Sequence, residues 1–393
     1  MIKLPEFVRC FEGKCLCKSG HNCRCSECRD ILRQLSADIA VLNRQKLSCD
    51  NGQRLKVSHE VSEDVQKQMR SILEVVDEMM GERPCHHHHG QLSAEEAMEP
   101  LELFLAEDLL IHLVEELPAL DFEARKDVMN VFSVLLRPGL PVLATHMVGY
   151  VRRHTQMAQV FMDGCDNSEI ALHCGVMLRS CARHGELAEV FLESGIAYTL
   201  LEQVLGNSFD VSADAFGSLR ELLLGNKDMT KTWLITNFVS FFSLYHRMFE
   251  TGEYVILRQS LKLLGDILLD RSFMKVMLRY VSEEKHLVIH MNFLLSSSVA
   301  IQYEAFNLFK IFVANPQKPP RIQKILCKNR AGLLDLLANL RSHKSEDERF
   351  LADEKNVSGK LRALKMPVNA QRCGDSNVAA RAGVPDLYQL AGT

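Results

Sequence analysis

The chain has 393 residues and a formal net charge of −4 at pH 7, with 47% hydrophobic and 24% charged residues. These proportions are ordinary for a globular protein, and the charge gives no general attraction for nucleic acid or for an anionic membrane. No apolar run reaches the roughly 18 residues that a membrane span needs. Leucine is abundant and alternating β-branched runs are scarce, so we expect an all-α protein without nucleic-acid partners and without a membrane span.

Residues 1–30 form a polar, cysteine-rich leader, which we expect to be either disordered or a small metal site. Structural zinc takes four thiolate or imidazole ligands, and Cys25 and Cys28 have the two-residue spacing with which two thiolates hold one ion. The candidate ligands are Cys15, Cys17, Cys23, Cys25 and Cys28. The other spacings are less usual for zinc, so a reduced, unstructured leader and acylation of some cysteines remain alternatives. No other cofactor is expected.

The cysteine content also bears on the cellular compartment. The 13 cysteines are an odd number, and the N-terminal residues lack the apolar core of a signal peptide. Thiols in the cytosol are mostly reduced. We therefore expect a cytoplasmic protein with free thiols.

Residues 31–365 are predicted to form one helical-repeat domain. It begins with two helical patterns, at 31–47 and 61–80. A histidine-rich insert at 81–95 follows, which we interpret as a solvated loop because consecutive histidines cannot all face one ion.

The C-terminal region loses the helical pattern in steps. An acidic stretch at 345–350 precedes a short helix predicted over 356–364. Residues 366–393 are rich in Ala, Gly, Asn and Asp, and we expect them to be a disordered tail.

Similar helices recur along residues 96–342. They begin near Asp121, Ser168, Phe209, Tyr254 and Ser298, at intervals of roughly 41 to 47 residues, which is the range of armadillo and HEAT repeats. One such repeat cannot bury its apolar face alone, whereas a stack of repeats can. The spacing predicts an armadillo/HEAT-like superhelix, a rod-shaped solenoid with one concave face.

The helix that begins at Tyr254 has two contrasting faces. Its apolar stripe comprises Tyr254, Leu257, Leu261, Leu264 and Leu268. Arg258, Lys262 and Asp266 follow one another by four residues on another face. Such basic residues can bind acidic groups of a partner. The alternative is an ordinary solvated face on which Lys262 pairs with Asp266.

Several segments together resemble the Mo25 family of scaffold proteins. They are DFEARKDV at 121–128, EIALHCGVMLR at 169–179, FDVSADAF at 209–216, RQSLKLLG at 258–265, FVANP at 312–316 and EDERF at 346–350. The resemblance extends from about residue 31 to about residue 366, and the histidine-rich insert interrupts it.

The resemblance implies a scaffold without catalysis of its own. Members of the family bind protein kinases and pseudokinases of the sterile-twenty type on the concave face, and they stabilise the active kinase conformation by packing beside its αC helix. The residues of this chain that match the kinase-contacting positions are Phe209, Arg258, Lys262 and Arg271. We call these residues the kinase face.

The resemblance also implies a pocket near the C-terminal end for a short hydrophobic tail motif of the Trp-Glu-Phe type. Met291 and Lys328 match its positions. The segment at 295–299 and Gly332 depart from the family, which leaves the accepted motif open. Met291 also fits as an ordinary core residue, and Lys328 also fits as a residue that interacts with helix carbonyls.

Sequence motifs of common enzymes are missing from the chain, including the phosphate-binding loop, the dinucleotide fingerprint, the nucleophile elbow and the zincin helix. We therefore predict a non-enzymatic kinase scaffold, monomeric when alone. One alternative is a general helical-repeat adaptor for cytoskeletal, polarity or cell-division assemblies that does not activate a kinase. Another is a zinc-dependent regulatory module in the leader.

Overall fold

The computed structural model describes residues 24–47, 59–80, 101–206, 209–251, 253–343 and 346–367. Every regular element in these ranges is a helix, so the predicted all-α class is confirmed. The chain divides into two compact units, Met1–Ser194 and Gly195–Thr393.

Among its described residues, the first unit contains two long helices followed by shorter ones. They are α1 (Arg24–Leu47), α2 (His59–Met80), α3 (Leu109–Glu115), α4 (Phe122–Val134), α5 (Pro141–Arg153), α6 (Met157–Cys165), α7 (Ala171–Ala182) and α8 (Gly185–Glu193). Residues 101–106 are helical as well. A 3₁₀ turn, Leu117–Ala119, joins α3 to α4.

The second unit contains the predicted partner-binding residues. Its helices are α9 (Ile196–Gly206), α10 (Phe209–Leu224), α11 (Lys227–Thr236), α12 (Phe238–Tyr245), α13 (Tyr254–Leu268), α14 (Met274–Tyr280), α15 (Glu284–Leu294), α16 (Val299–Ala314), α17 (Pro320–Lys328), α18 (Arg330–His343) and α19 (Glu348–Ala363). Two 3₁₀ turns, His246–Phe249 and Arg271–Phe273, precede α13 and α14 respectively.

The helices repeat in groups of three. The group α11, α12 and α13 is followed by α14, α15 and α16, and then by α17, α18 and α19. Helices in equivalent positions contact one another, since α11 packs on α14, α13 on α16, and α16 on α19. The predicted repeat starts fall at or near the beginnings of α4, α7, α10, α13 and α16. The predicted helical-repeat fold is therefore confirmed within each unit.

Ion pairs join the third helices of consecutive repeats to the elements one repeat further along. Their partners lie 43 to 46 residues apart in sequence. They are Arg125–Glu169 at 2.9 Å, Arg220–Asp266 at 3.3 Å and Lys310–Asp353 at 2.8 Å. The charge pattern thus has the period of the repeat, and it links neighbouring repeats in the same register.

Both ends of the helical region differ from the sequence prediction. Helix α1 begins at Arg24, earlier than the predicted residue 31, so Cys25 and Cys28 belong to a helix. The C-terminal helix begins at Glu348, earlier than the predicted residue 356, because the Asp347 side chain accepts a hydrogen bond from the backbone N–H of Phe350 at 2.9 Å. Residues 81–95 and 368–393 lie outside the described residues.

A network of histidines around Tyr280 lies in the core of the second unit. The Tyr280 hydroxyl is 3.0 Å from Nε2 of His246 and 3.0 Å from Nε2 of His290. The ring of His286 stacks on Tyr280 at 3.9 Å, and its Nδ1 donates to the Tyr280 carbonyl at 2.8 Å. These contacts join the 3₁₀ turn before α13 to α14 and α15.

The network has one favoured arrangement of protons. A hydroxyl donates only one hydrogen bond, so one of the two Nε2 atoms must donate to Tyr280. Nδ1 of His290 is buried without a hydrogen-bond partner among the described residues, and an unmatched N–H is rarer in protein cores than an unmatched acceptor. We therefore assign the donated N–H to His290, and Tyr280 donates in turn to His246.

Burial keeps these imidazoles neutral. It lowers the pKa of His246 to about 3 and that of His286 to about 4, and it holds the pKa of His290 well below its usual value. The Glu283 carboxylate, 3.8 Å from Nε2 of His286, acts in the opposite direction on the pKa of that residue. A proton added to this core therefore opposes folding.

Helices α6 and α7 of the first unit approach closely at a glycine. A methyl group added at Gly164 would overlap the Sγ atom of Cys174 and would also crowd Ile170. Cys174 is buried, so its sulfur has little room to move.

We expect Gly164→Ala to lower the free energy of unfolding by about 1–3 kcal/mol, because the added methyl overpacks the contact between α6 and α7. Urea denaturation followed by circular dichroism measures this change. The matched control is Gly359→Ala, where a methyl group meets nothing within 4 Å, and which should raise stability by about 0.5–1 kcal/mol. Equal urea midpoints for Gly164→Ala and the wild type would contradict the close approach.

We expect stability to fall as the pH is lowered from about 6.5, the ordinary histidine pKa in an unfolded chain. The unfolded chain then takes up protons at these imidazoles, whereas the folded chain does so only near the folded pKa of about 4 for His286 and about 3 for His246. Each histidine contributes a slope of up to about 1.4 kcal/mol per pH unit in that window.

Urea midpoints measured between pH 7.5 and pH 4.5 test this expectation. His246→Gln should reduce the slope by about 1.4 kcal/mol per pH unit. Comparing the two proteins at pH 7.5, where the imidazole is neutral folded or unfolded, isolates the cost of the substitution itself. An unchanged slope in the variant would show that His246 protonates equally in both states.

Candidate partner-binding site

Arg258 and Lys262 lie one turn apart on the exposed face of α13. Tyr254, one turn before Arg258, has 46% of its surface exposed. The prediction that Tyr254 belongs to the apolar stacking stripe is wrong, because the stripe is fully buried only from Leu261 onward. The three side chains instead form an exposed row of one aromatic and two cations. In the sequence this row is indicated by the spacing of four residues from Tyr254 to Arg258 and again to Lys262.

The acidic residue on the same helix does not neutralise Lys262. Asp266 forms an ion pair with Arg220 of α10, one repeat earlier, at 3.3 Å. In the part of the chain that the structure describes, neither Arg258 nor Lys262 forms an ion pair within 4.0 Å. Both side chains are exposed, so the carboxylates of a partner can reach them.

Glu304 on α16 is the carboxyl group that interacts electrostatically with both cations. Burial raises the pKa of Glu304, while the positive charges of Arg258 and Lys262 act in the opposite direction. Helix α16 packs directly on α13, which explains the proximity. Glu304 was not among the predicted site residues, and its one signal in the sequence is its position about one repeat beyond Arg258.

Phe209 and Arg271 lie at the ends of their elements. Phe209 is the first residue of α10, with 68% of its surface exposed, and Arg271 is exposed at the start of the 3₁₀ turn after α13. The residue before Arg271, Asp270, forms an ion pair with Lys227 at 2.6 Å. This ion pair and a hydrogen bond from the backbone N–H of Ser272 lower the pKa of Asp270 to about 2. Asp270 is thus ionised and already engaged with Lys227.

The two predicted pocket residues lie on helices that contact each other, α15 and α17. Met291 is only 5% exposed and belongs to the core, whereas Lys328 is exposed at the end of α17. An ion pair between Arg321 and Glu284 at 3.3 Å joins the same two helices. The tail-motif pocket stays a prediction, and Lys328 is its accessible member.

A separate surface depression of about 490 Å³ lies on the last helix, α19. It is lined by Ala352, Lys355, Asn356, Gly359, Lys360 and Ala363. Small side chains at three of these positions produce its shape.

Most of the cysteines predicted to bind zinc lie outside the residues that the structure describes. Cys15, Cys17 and Cys23 are not among the described residues, and Cys25 and Cys28 are placed only as positions on α1. Within the described ranges no group of three His, Cys, Asp or Glu side chains is arranged to hold a metal ion. The zinc site in the leader therefore stays a prediction. The same ranges contain no helix that is long and apolar enough to span a bilayer.

Comparison with known proteins covers most of the chain. The family model described as Mo25-like matches residues 22–365. The human protein "Calcium-binding protein 39-like" is 34% identical over 86% of this chain and 94% of its own length. The "Degreening-related gene dee76 protein" of Auxenochlorella protothecoides is 37% identical over 76% of this chain and 89% of its own.

A fungal relative extends the comparison. The "Mo25-like protein" of Schizosaccharomyces pombe is 38% identical over 61% of this chain and 72% of its own length. The matched region contains the repeats of both units and every residue of the kinase face. The family model and these relatives establish that the chain belongs to the Mo25-like family.

Proposed function

We propose that this chain is a non-catalytic scaffold that binds a sterile-twenty-type protein kinase or pseudokinase through the kinase face and stabilises its active conformation. The observation that carries the proposal is the exposed pair Arg258 and Lys262 on α13, neither of which forms an ion pair within 4.0 Å among the described residues. Membership of the Mo25-like family and the helical-repeat fold support a scaffold role.

The chemistry of the face favours a partner with acidic groups next to an apolar surface. Two cations one turn apart can pair with carboxylates on a partner helix, which gives both attraction and register. Exposed Phe209 and Tyr254 provide aromatic area of the kind that dominates binding at protein interfaces. Glu304 competes for the same cations, so a partner carboxylate has to match or exceed its interaction.

A scaffold of this kind acts by binding one conformation of the kinase better than the others. The shift in conformational population equals the difference in binding free energy between the two states. A partner helix held against a fixed row of side chains loses the freedom to swing outward. The backbone of α13 is held by its contacts with α16 and by the Arg220–Asp266 pair, and it is therefore suited to that role.

The burial of Met291 favours a second candidate function. With Met291 in the core, the apolar wall expected of a tail-motif pocket is not presented at that position. A general adaptor for polarity or cell-division assemblies, without kinase activation, needs no such pocket. An assay of kinase activity with and without the protein separates the two functions, because only the first raises the rate.

Charge reversal of the basic pair tests the kinase face. We expect Arg258→Glu with Lys262→Glu to weaken binding to sterile-twenty-type kinase and pseudokinase domains at least a hundredfold, or about 3 kcal/mol, because attraction becomes repulsion. Surface plasmon resonance against a panel of such domains measures the loss.

The control for that experiment is Lys355→Glu with Lys360→Glu, an equal change of net charge on two exposed positions of α19. It should bind like the wild type. If both double variants lose affinity equally, the effect comes from net charge, and the kinase face is wrongly assigned.

Lys328 provides the test of the tail-motif pocket. We expect Lys328→Ala to weaken binding of a peptide that ends in Trp-Glu-Phe about three- to tenfold, through loss of one charge interaction at the pocket rim. Fluorescence anisotropy with a labelled peptide measures it, and Lys355→Ala serves as the control. Met291→Ala is unsuitable, because removing a buried side chain costs about 2–5 kcal/mol of stability. Equal affinity of the wild type and Lys328→Ala would remove Lys328 from the pocket.

A further inference from the structure

Large exposed apolar side chains cluster on α11, α12 and α14 of the second unit. They are Ile235, Val239, Met274 and Leu278, with exposed fractions between 37% and 64%. We call this group the lateral patch. Single exposed apolar residues are normal, whereas a group rimmed by polar residues marks an interaction surface.

Contacts between neighbouring helices bring the patch together. The guanidinium of Arg279 donates to the Ile235 carbonyl at 3.0 Å and lies 4.2 Å from the centre of the Phe238 ring. The first residues of α12 and the end of α11 are therefore held against α14. Met274 and Leu278 are four residues apart and project from the same side of α14.

Positive charge lies beside the apolar side chains. Lys275 and Arg279 are exposed on the same face of α14 as Met274 and Leu278. The acidic residues nearby are already engaged, since Asp228 pairs with Lys231 at 2.5 Å and Asp270 with Lys227 at 2.6 Å. Among the described residues, Lys275 forms no ion pair within 4.0 Å.

We infer that the lateral patch binds an anionic membrane surface peripherally. Apolar side chains that protrude beside lysine and arginine match the boundary between lipid headgroups and acyl chains, where insertion and electrostatic attraction add. The inference is independent of the proposed kinase binding, because none of these residues belongs to the kinase face.

The side-chain chemistry favours a lipid surface over a protein partner. Protein hot spots are enriched in Trp, Tyr and Arg that make directional contacts. The lateral patch has only aliphatic and thioether groups, and the guanidinium of Arg279 is held in one orientation by the Ile235 carbonyl and the Phe238 ring while it keeps its charge. A fluid surface requires no fixed hydrogen-bond geometry. The net charge of −4 does not prevent such binding, because charges further away than about 8 Å are largely screened at physiological salt.

Sedimentation with phosphatidylcholine vesicles, prepared with and without phosphatidylserine, tests the inference with the full chain. The wild type should sediment with the phosphatidylserine vesicles and much less with the neutral ones. Met274→Ser with Leu278→Ser should lower the partition coefficient at least tenfold, since each side chain loses part of its apolar burial. Lys275→Glu should lower it roughly tenfold or more, because each surface cation contributes about a fivefold effect.

The matched control is Val142→Ser with Leu172→Ser, two exposed apolar residues of the first unit, which should leave sedimentation unchanged. Circular dichroism confirms that each variant is folded. Wild-type protein that stays in the supernatant overturns the inference, as do patch variants that sediment like the wild type. If the patch substitutions instead disperse a self-associated form and leave vesicle binding unchanged, the patch is a protein interface and the membrane assignment is wrong.

Discussion

The ion pair between Arg220 and Asp266 sets the charge on the proposed kinase face. By holding Asp266 at 3.3 Å, Arg220 removes the carboxylate that would otherwise pair with Lys262 on the same helix. A surface ion pair of this kind contributes little to stability. Its consequence for function is larger, because it engages the carboxylate next to two exposed cations on α13 and links α13 to α10, the helix that begins with Phe209.

The repeat supports this arrangement because helices in equivalent positions pack on one another. Third helices contact third helices, with Lys310 and Asp353 repeating the pairing one repeat later at 2.8 Å. The neutral histidines around Tyr280 lock the turn before α13 to the next repeat without placing a charge in the core. Rigidity beneath the face matters because a scaffold shifts a partner's conformational equilibrium only by differential binding. A face that deformed to bind both conformations of a partner equally well would not change the balance between them.

The sequence predicted the fold well because periodicity is local. Spacings of apolar residues and capping residues such as Ser298 lie within a few positions of one another, and the repeat length follows from counting. Features that depend on contacts one repeat away could not be predicted from local spacing. The partner of Asp266, the proximity of Glu304 to Arg258, the burial of Met291 and the exposure of Tyr254 are all set by neighbouring helices. The kinase-face residues came from family resemblance, and the structure shows them exposed without testing their role.

Local rather than net charge governs what each face attracts. The chain carries a net charge of −4, yet Arg258 with Lys262 and Lys275 with Arg279 each form a basic pair at one-turn spacing. The first pair stands beside aromatic side chains and a competing carboxylate, Glu304. These surroundings suit a protein partner whose acidic groups have defined positions. The second pair stands beside aliphatic side chains, a combination that suits the surface of an anionic membrane. The first pair lies on a third helix and the second on a first helix, but Arg271 of the kinase face is only three residues before Met274, so the two faces are neighbours at the start of α14.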